Sequence, residues 1–361
     1  MMQRPILLFD RLPTATALRL AEARWLRRRA CVGAFLLGAL ALVGTSGCLE
    51  FQQGPVKLGN PKDFAVVDGQ KIYVEEMGPK DARDTILLVH GFGATGRGWL
   101  FIEPALKQRY RVLVVDMPGF GRSDKYPGDY SGAATAKKAF AVLDARGAKR
   151  VHLVCHSYGT AVCLAMALQA PRRVQTLTLI SSFAYEDQLP PFLTWARVPL
   201  VGELLFGLMW NSRIDDRMNY AFYNPDKFIY PAAIDEARKL MELPGALAAS
   251  LATVRGMDFS MHTRYRTLPQ PALVISGRDD PVTRLPSARR LVNDLPNARH
   301  LVISQCGHVP FVEQPAKVIQ GLLAFLHQHE TPPPPPPKQP PASAPSLPPA
   351  EPDEQEEVAF Q

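Results

Sequence analysis

The sequence predicts an α/β fold, a mostly parallel twisted sheet flanked by helices, with a block of helices inserted late in the sheet. Three observations predict it. Short, mostly apolar runs at residues 85–89, 111–115, 151–155, 176–180, 272–275 and 300–303 have strand length, as strands buried on both faces require. Helix-patterned stretches such as 132–146 and 160–169 separate most of them, and apolar strands alternating with helices make a parallel sheet covered on both sides. Between residues 184 and 266 the strand rhythm stops and helix formers with many large apolar and aromatic residues take over, broken by prolines and glycines. That segment reads as a helical cap on the core.

Residues 1–29 hold seven arginines (Arg4, Arg11, Arg19, Arg24, Arg27, Arg28, Arg29) against Asp10 and Glu22, and residues 30–44 hold no charge. A basic stretch followed by an apolar one is the order of a signal peptide, and this apolar run is shorter than the roughly 20 residues that cross a bilayer. It stops at Thr45-Ser46-Gly47-Cys48, which resembles a bacterial lipobox. The resemblance implies a signal peptide over 1–47, cleavage before Cys48, a lipid on the Cys48 thiol and a membrane-anchored protein facing the periplasm or exterior. An uncleaved N-terminal transmembrane anchor gives the same placement; a cytosolic protein with a spurious upstream start is the third alternative. The formal charge of +7 points towards nucleic acid only superficially, because the leader holds +5 of it and the chain from Cys48 on carries +2.

After a linker at 48–62, the core is expected over 63–183 and 267–330. It opens with a hairpin: strands at 64–67 and 71–75 around an Asp68-Gly69 turn. Within the cap, the apolar stretch 201–210 reads as the cap's inward face, with contact to a bilayer at the mouth of a site as the alternative. Residues 331–361 hold twelve of the 34 prolines, six of them consecutive, followed by five acids, and such a tail cannot bury enough surface to fold. It reads as an extended spacer, or as a docking peptide for a protein partner. Of five cysteines, Cys155, Cys163 and Cys306 fall in the core; an odd count implies no complete disulfide framework, and they read as buried free thiols.

The chemistry concentrates at strand ends. Cys155-His156-Ser157-Tyr158-Gly159 follows the run 151–154 and precedes a helix. A serine on a sharp strand-to-helix turn is pushed clear of the sheet, and small neighbours two residues either side let the chain bend; Gly159 meets this need and Cys155 stands in for a second glycine. Serines among small residues are common, and it is the position between strand and helix that singles this one out. His90-Gly91-Phe92-Gly93 closes the strand 85–89, Gly277-Arg278-Asp279-Asp280-Pro281 follows 272–275, and Cys306-Gly307-His308 follows 300–303. All lie at the same end of a parallel sheet, where open α/β folds bind ligands.

These segments, with Val115-Asp116-Met117-Pro118-Gly119-Phe120-Gly121-Arg122-Ser123 between them, resemble the α/β-hydrolase superfamily in its order of serine, aspartate and histidine over about residues 63–329. The resemblance implies an α/β-hydrolase fold with Ser157 as nucleophile, His308 as base, Asp280 as the acid that orients it, and the N–H groups of Phe92 and Tyr158 as oxyanion donors. His90, Gly91, Gly93, Cys155, His156 and Gly159 would support the loop and the elbow, with the His156 side chain pointing away from the nucleophile. Asp116 would be structural, and His262, His327 and His329 solvated or structural.

Serine at the elbow argues against dehalogenases and epoxide hydrolases of the superfamily, which use aspartate there. Carbon–carbon bond hydrolases resemble the chain around Asp280 and His308, but many carry Asn and Trp where this chain has His156 and Val309. Esterases and monoacylglycerol lipases are closer. The resemblance therefore implies hydrolysis of a carboxylic ester with a small or lipid-like acyl group. Carbon–carbon hydrolysis, acyl transfer and haloperoxidase-like activity use the same triad and stay open, as does a non-catalytic ligand-binding member of the fold. No cofactor or metal is expected: the chain contains no Gly-rich phosphate loop and no zinc-ligand cluster.

Overall fold

A computed structural model describes residues 60–209 and 214–332; the leader, Cys48, Trp210 and the proline-rich tail lie outside the described residues. Eight strands form one sheet: β1 (Phe64–Val67), β2 (Gln70–Met77), β3 (Thr85–Val89), β4 (Arg111–Val115), β5 (Val151–His156), β6 (Val174–Ile180), β7 (Ala272–Gly277) and β8 (Ala298–Ile303). Their spatial order is β1-β2-β4-β3-β5-β6-β7-β8, antiparallel at the β1/β2 and β2/β4 pairs and parallel from β4 to β8. The first hairpin turns at Asp68 and Gly69 with φ of 50° and 76°. Two central residues with positive φ give a turn whose twist matches that of the strands it joins.

Because successive strand residues point to opposite faces, each buried strand feeds two cores. Leu87, Leu113, Leu153, Leu177 and Val274 pack on one side with helices α2 (Gly132–Ala145) and α3 (Gly159–Gln169), which follow α1 (Glu103–Leu106) along the chain. Ile86, Leu88, Val112, Val114, Val154, Ile180 and Ile275 pack on the other with Trp99, Phe311, Val318 and Leu322. Burial of each such side chain contributes about 1.5–3 kcal/mol, which makes the two-sided sheet the rigid part of the molecule.

Between β6 and β7 the described residues form helices and no strand: a 3-10 turn at Glu186–Gln188, α4 (Pro191–Ala196), α5 (Val201–Met209), α6 (Ile214–Ala221), α7 (Pro225–Phe228), α8 (Pro231–Met241), α9 (Ala246–Gly256) and a 3-10 turn at Ser260–Thr267. Helix α10 (Leu285–Asp294) then connects β7 to β8, and α11 (Pro310–Glu313) and α12 (Pro315–His327) follow β8. The inward reading of the stretch 201–210 is half corrected. Phe206 and Gly202 are buried, but Val201, Leu204 and Leu208 are 40%, 46% and 63% exposed. Apart from Glu203 the helix is apolar on every side and has more apolar surface than one contact face can cover, so spacing alone did not say which stripe turned in. Among the described residues, no helix is long and apolar enough to cross a membrane.

Candidate active site

Three loops at the carboxyl ends of β5, β7 and β8 meet. Ser157 follows β5 directly and adopts φ +51°, a left-handed conformation that costs a non-glycine residue energy and that lifts its hydroxyl off the sheet. The turn is tight enough that its neighbours must be small. A Cβ at Gly159 would lie 2.5 Å from the His90 carbonyl oxygen, and one at Gly91 would lie 2.9 Å from the Ser157 Cβ.

The Ser157 Oγ lies 3.0 Å from Nε2 of His308, whose Nδ1 lies 2.9 Å from Oδ2 of Asp280. All three residues are buried. The Asp280 carboxylate also accepts from the Val282 amide at 2.8 Å, the Thr283 amide at 2.9 Å and the Thr283 hydroxyl at 2.7 Å. Burial works against its charge, but His308 and the Thr283 hydrogen bonds outweigh burial and hold the carboxyl below its ordinary pKa. Asp279 is turned away and accepts from the Gln305 amide at 3.0 Å.

The His90 loop is held from below. His90 Nδ1 lies 2.7 Å from the Gly91 carbonyl, and Nε2 accepts from the Met117 amide at 2.9 Å. Burial lowers the His90 pKa, consistent with a neutral ring that donates through one nitrogen and accepts through the other. Asp116 sits behind the loop, accepting from the Gly96 amide at 2.6 Å and the Arg122 amide at 2.9 Å. Gly91, Phe92, Gly93, Ser157 and Tyr158 border one cavity of about 460 Å³, which brings both expected oxyanion-donor residues to the cavity that Ser157 faces.

One sequence expectation is corrected, that the core cysteines are all free thiols. Cys155 and Cys163 form a disulfide, with Cα atoms 6.6 Å apart, and only Cys306 is free among the described residues. The elbow folds α3 back along β5, so residues eight apart in sequence face each other within disulfide range; an odd count never excluded one pair. His156 points away from Ser157 but not into idle space: its Nε2 lies 2.8 Å from the His308 carbonyl.

Three further residues of the site had no motif to announce them. Glu313, in α11, accepts from the amides of Gly307 at 2.9 Å and Tyr223 at 2.8 Å, and so ties the histidine loop to the cap. The His308 amide donates to the Ala221 carbonyl of α6 at 2.7 Å, a second tie. Thr283 supports Asp280, and its only sequence signal was a hydroxyl three residues past the acid. Arg217 lines a wall otherwise built from Phe183, Phe192, Leu193, Ile214, Met218, Phe222, Met241 and Met257. Among the described residues no cluster of His, Cys, Asp or Glu is arranged to hold a metal ion.

A positioned serine, an imidazole within proton-transfer distance and a buried carboxylate behind it constitute the parts of a nucleophilic hydrolysis site. Comparison with known proteins agrees with that chemistry. The profile of the alpha/beta hydrolase family matches residues 86–320. The chain is 31% identical over 253 residues to the dihydrolipoyllysine-residue acetyltransferase component of an acetoin cleaving system from Pseudomonas putida, covering 68% of this chain and 64% of that protein. It is 32% identical over 263 residues to a 2-hydroxy-6-oxononadienedioate/2-hydroxy-6-oxononatrienedioate hydrolase from Paraburkholderia phymatum, covering 68% and 88%. A thermophilic esterase from Thermogutta terrifontis superposes with a TM-score of 0.65 at 24% identity, over 74% of this chain and 98% of the other, and shares the fold. On sequence, fold and site together, this chain is an enzyme belonging to the alpha/beta hydrolase family.

Proposed function

We propose that the protein is a serine hydrolase that cleaves a carboxylic ester through an acyl-enzyme. The observation that carries this reading is the hydrogen-bonded series from Ser157 Oγ through His308 to Asp280, opening onto a largely apolar cavity. His308 Nε2 takes the Ser157 proton as Oγ attacks the ester carbonyl, and the N–H groups of Phe92 and Tyr158 receive the developing oxyanion. The carbonyl–oxygen bond to the alcohol then breaks, and His308 returns its proton to the departing oxygen. Water follows the same route: it loses a proton to His308, attacks the acyl carbon and releases the acid and Ser157. Asp280 fixes the His308 tautomer and stabilises the imidazolium formed in each half.

A second reading, carbon–carbon bond hydrolysis, is favoured by the likeness to the 2-hydroxy-6-oxononadienedioate/2-hydroxy-6-oxononatrienedioate hydrolase of Paraburkholderia phymatum. Turnover of a p-nitrophenyl ester series from acetate to palmitate, with Ser157→Ala as control, separates the two. A serine-dependent optimum at one acyl length supports the esterase. Labelling of Ser157 by a fluorophosphonate without ester turnover sinks it and favours the carbon–carbon substrate.

The proposed placement is the cell envelope, anchored by a lipid on Cys48 or by an uncleaved leader. The Cys155–Cys163 disulfide supports it, because such bonds persist in oxidising compartments. Cys48→Ser abolishes lipid labelling if the lipid reading holds; unchanged labelling removes it. The tail is proposed as a spacer, or as a docking peptide for a protein partner.

A further inference from the structure

The end of the sheet opposite Ser157 is basic. Strands β4, β3, β5 and β6 are neighbours in that order, about 4.8 Å apart, so the loops that enter them, residues 107–110, 78–84, 146–150 and 170–173, lie side by side. Hydrogen bonds join this end into one surface: the Arg111 guanidinium donates to the Arg146 carbonyl at 2.6 Å, and that of Arg173 to the carbonyls of Ala148 at 3.1 Å and Lys149 at 3.2 Å. The four loops expose Lys80, Arg83, Lys107, Lys149, Arg150 and Arg172, and their only acids are Asp81 and the buried Asp84. Arg109 is paired with Glu330 at 2.5 Å, whereas Lys80, Lys107, Lys149, Arg150 and Arg172 form no ion pair among the described residues. Like charges held side by side repel one another, and an anion laid across them relieves that repulsion.

The chain leaves the core at this same end. Asp84 accepts from the Thr331 amide at 3.0 Å and from the Thr331 hydroxyl at 2.5 Å, Gln175 donates to the same hydroxyl at 3.0 Å, and Arg83 donates to the Thr331 carbonyl at 3.4 Å. Beyond Thr331 the sequence runs through six prolines and thirteen further residues with one charge, Lys338, to Glu351, Asp353, Glu354, Glu356 and Glu357, with no basic residue among these acids. Twenty residues at about 3.3 Å each reach at most about 66 Å, of which six prolines in an extended helix take about 19 Å. The four loops span three strand spacings, about 15 Å. The acids therefore have the length to return to any of these loops. A tether of this kind presents them at an effective concentration on the order of millimolar, and exposed pairings of about 0.2–1 kcal/mol each then act together.

We propose that the acidic segment 351–357 docks on the basic end of the sheet in its own chain, with the proline-rich stretch as the tether that returns it there. This goes beyond the esterase reading and does not rest on it, because the surface lies at the opposite ends of the strands from Ser157.

The test is carbodiimide coupling of the full chain, which joins a carboxylate to a lysine amine in contact with it, read by peptide mass spectrometry. Links are expected from the acids of 351–357 to Lys80, Lys107 and Lys149, and not to Lys227, Lys239 and Lys317, which are exposed elsewhere. Their yield is expected to be unchanged by tenfold dilution and to fall about fivefold or more in about 0.5 M sodium chloride, where charges are screened beyond about 4 Å. A variant combining Lys149→Glu, Arg150→Glu and Arg172→Glu is expected to show a similar fall in the links to Lys80 and Lys107. Unchanged circular dichroism and unchanged fluorophosphonate labelling show that this variant is folded. Links spread evenly over all exposed lysines, links that ignore both salt and charge reversal, or no links at all overturn the proposal. Links that fall with dilution overturn it in favour of a second copy as the occupant. Absence of links, with Lys149 shielded from acetylation by phosphatidylglycerol vesicles and not by phosphatidylcholine vesicles, overturns it in favour of an anionic lipid surface.

Discussion

His156 and His308 are joined through ring and backbone: Nε2 of His156 lies 2.8 Å from the carbonyl oxygen of His308, with the two rings 4.8 Å apart. A carbonyl only accepts, so His156 holds its proton on Nε2. The residue before Ser157 thus fixes the backbone of His308. Burial, and then the neighbouring His308, push the His156 pKa down to about 3, so this ring stays neutral wherever the enzyme is folded.

The depressed pKa carries a consequence for acid stability. An unfolded His156 takes up a proton near pH 6.5, whereas the folded one resists to about 3, so its contribution is complete above the first value and is lost as pH falls towards the second. His156→Gln keeps an N–H donor but cannot titrate. Its melting temperature is expected to fall less between about pH 7 and pH 4.5 than that of the wild type. His156→Leu, with no donor, is expected to lower kcat as the His308 loop loosens. Equal acid sensitivity in wild type and Gln variant counts against this account.

Asp280 sets the His308 tautomer, and Thr283 supports Asp280 through both its amide and its hydroxyl. Asp280→Asn is expected to reduce kcat by about 10³–10⁴-fold with KM little changed, the signature of a wrongly held imidazole. Thr283→Val removes only the hydroxyl bond and is expected to cost far less. Steady-state kinetics on any turned-over ester measures both, and a Thr283→Val loss as large as that of Asp280→Asn contradicts the assignment.

Glu313 receives the amides of Gly307 and Tyr223, one from the histidine loop and one from the cap. Glu313→Ala leaves these two N–H groups, and that of Val309 at 3.4 Å, without the Glu313 acceptor, at a cost of about 1–3 kcal/mol for each one left unpaired. A lower melting temperature together with a lower kcat is the expected result, and Glu313→Gln, which retains one acceptor oxygen, is expected to fall between. A lowered melting temperature with unchanged kcat confines Glu313 to stability.

The Cys155–Cys163 disulfide closes a loop with a sequence separation of 8 around Ser157. Loop closure of that size stabilises by about 2.5 kcal/mol in the chain-entropy account. The Cys155→Ala, Cys163→Ala double variant is expected to melt earlier than the oxidised wild type. Denaturing alkylation without reductant is expected to modify Cys306 but neither Cys155 nor Cys163. Alkylation of all three core thiols in protein purified under oxidising conditions refutes the bond.

The order of apolar runs, the Asp68-Gly69 hairpin and the segments ending in Ser157, Asp280 and His308 were legible because each depends on local rules: strand length, turn chemistry, and a reactive residue at a strand end. The partners of those residues were not. His156 reaches across 152 residues to the His308 carbonyl, and Glu313 binds the cap amide of Tyr223 across 90. No periodicity encodes a contact between segments so far apart. Cys155 and Cys163 are near in sequence, yet their pairing depended on how sharply the elbow turns, which composition does not state. The same holds for the cap. Sequence marked residues 184–266 as helical and apolar, but which stripe of α5 faced inward, and that Arg217 of α6 would turn towards the cavity, followed from how the helices pack. The sequence by itself determined the sheet, its elbow and the reactive side chains, because those follow from local backbone preferences and burial period. Only the tertiary structure decided which groups hold His308 and which side chains border the cavity beside Ser157, because those are properties of the space between elements.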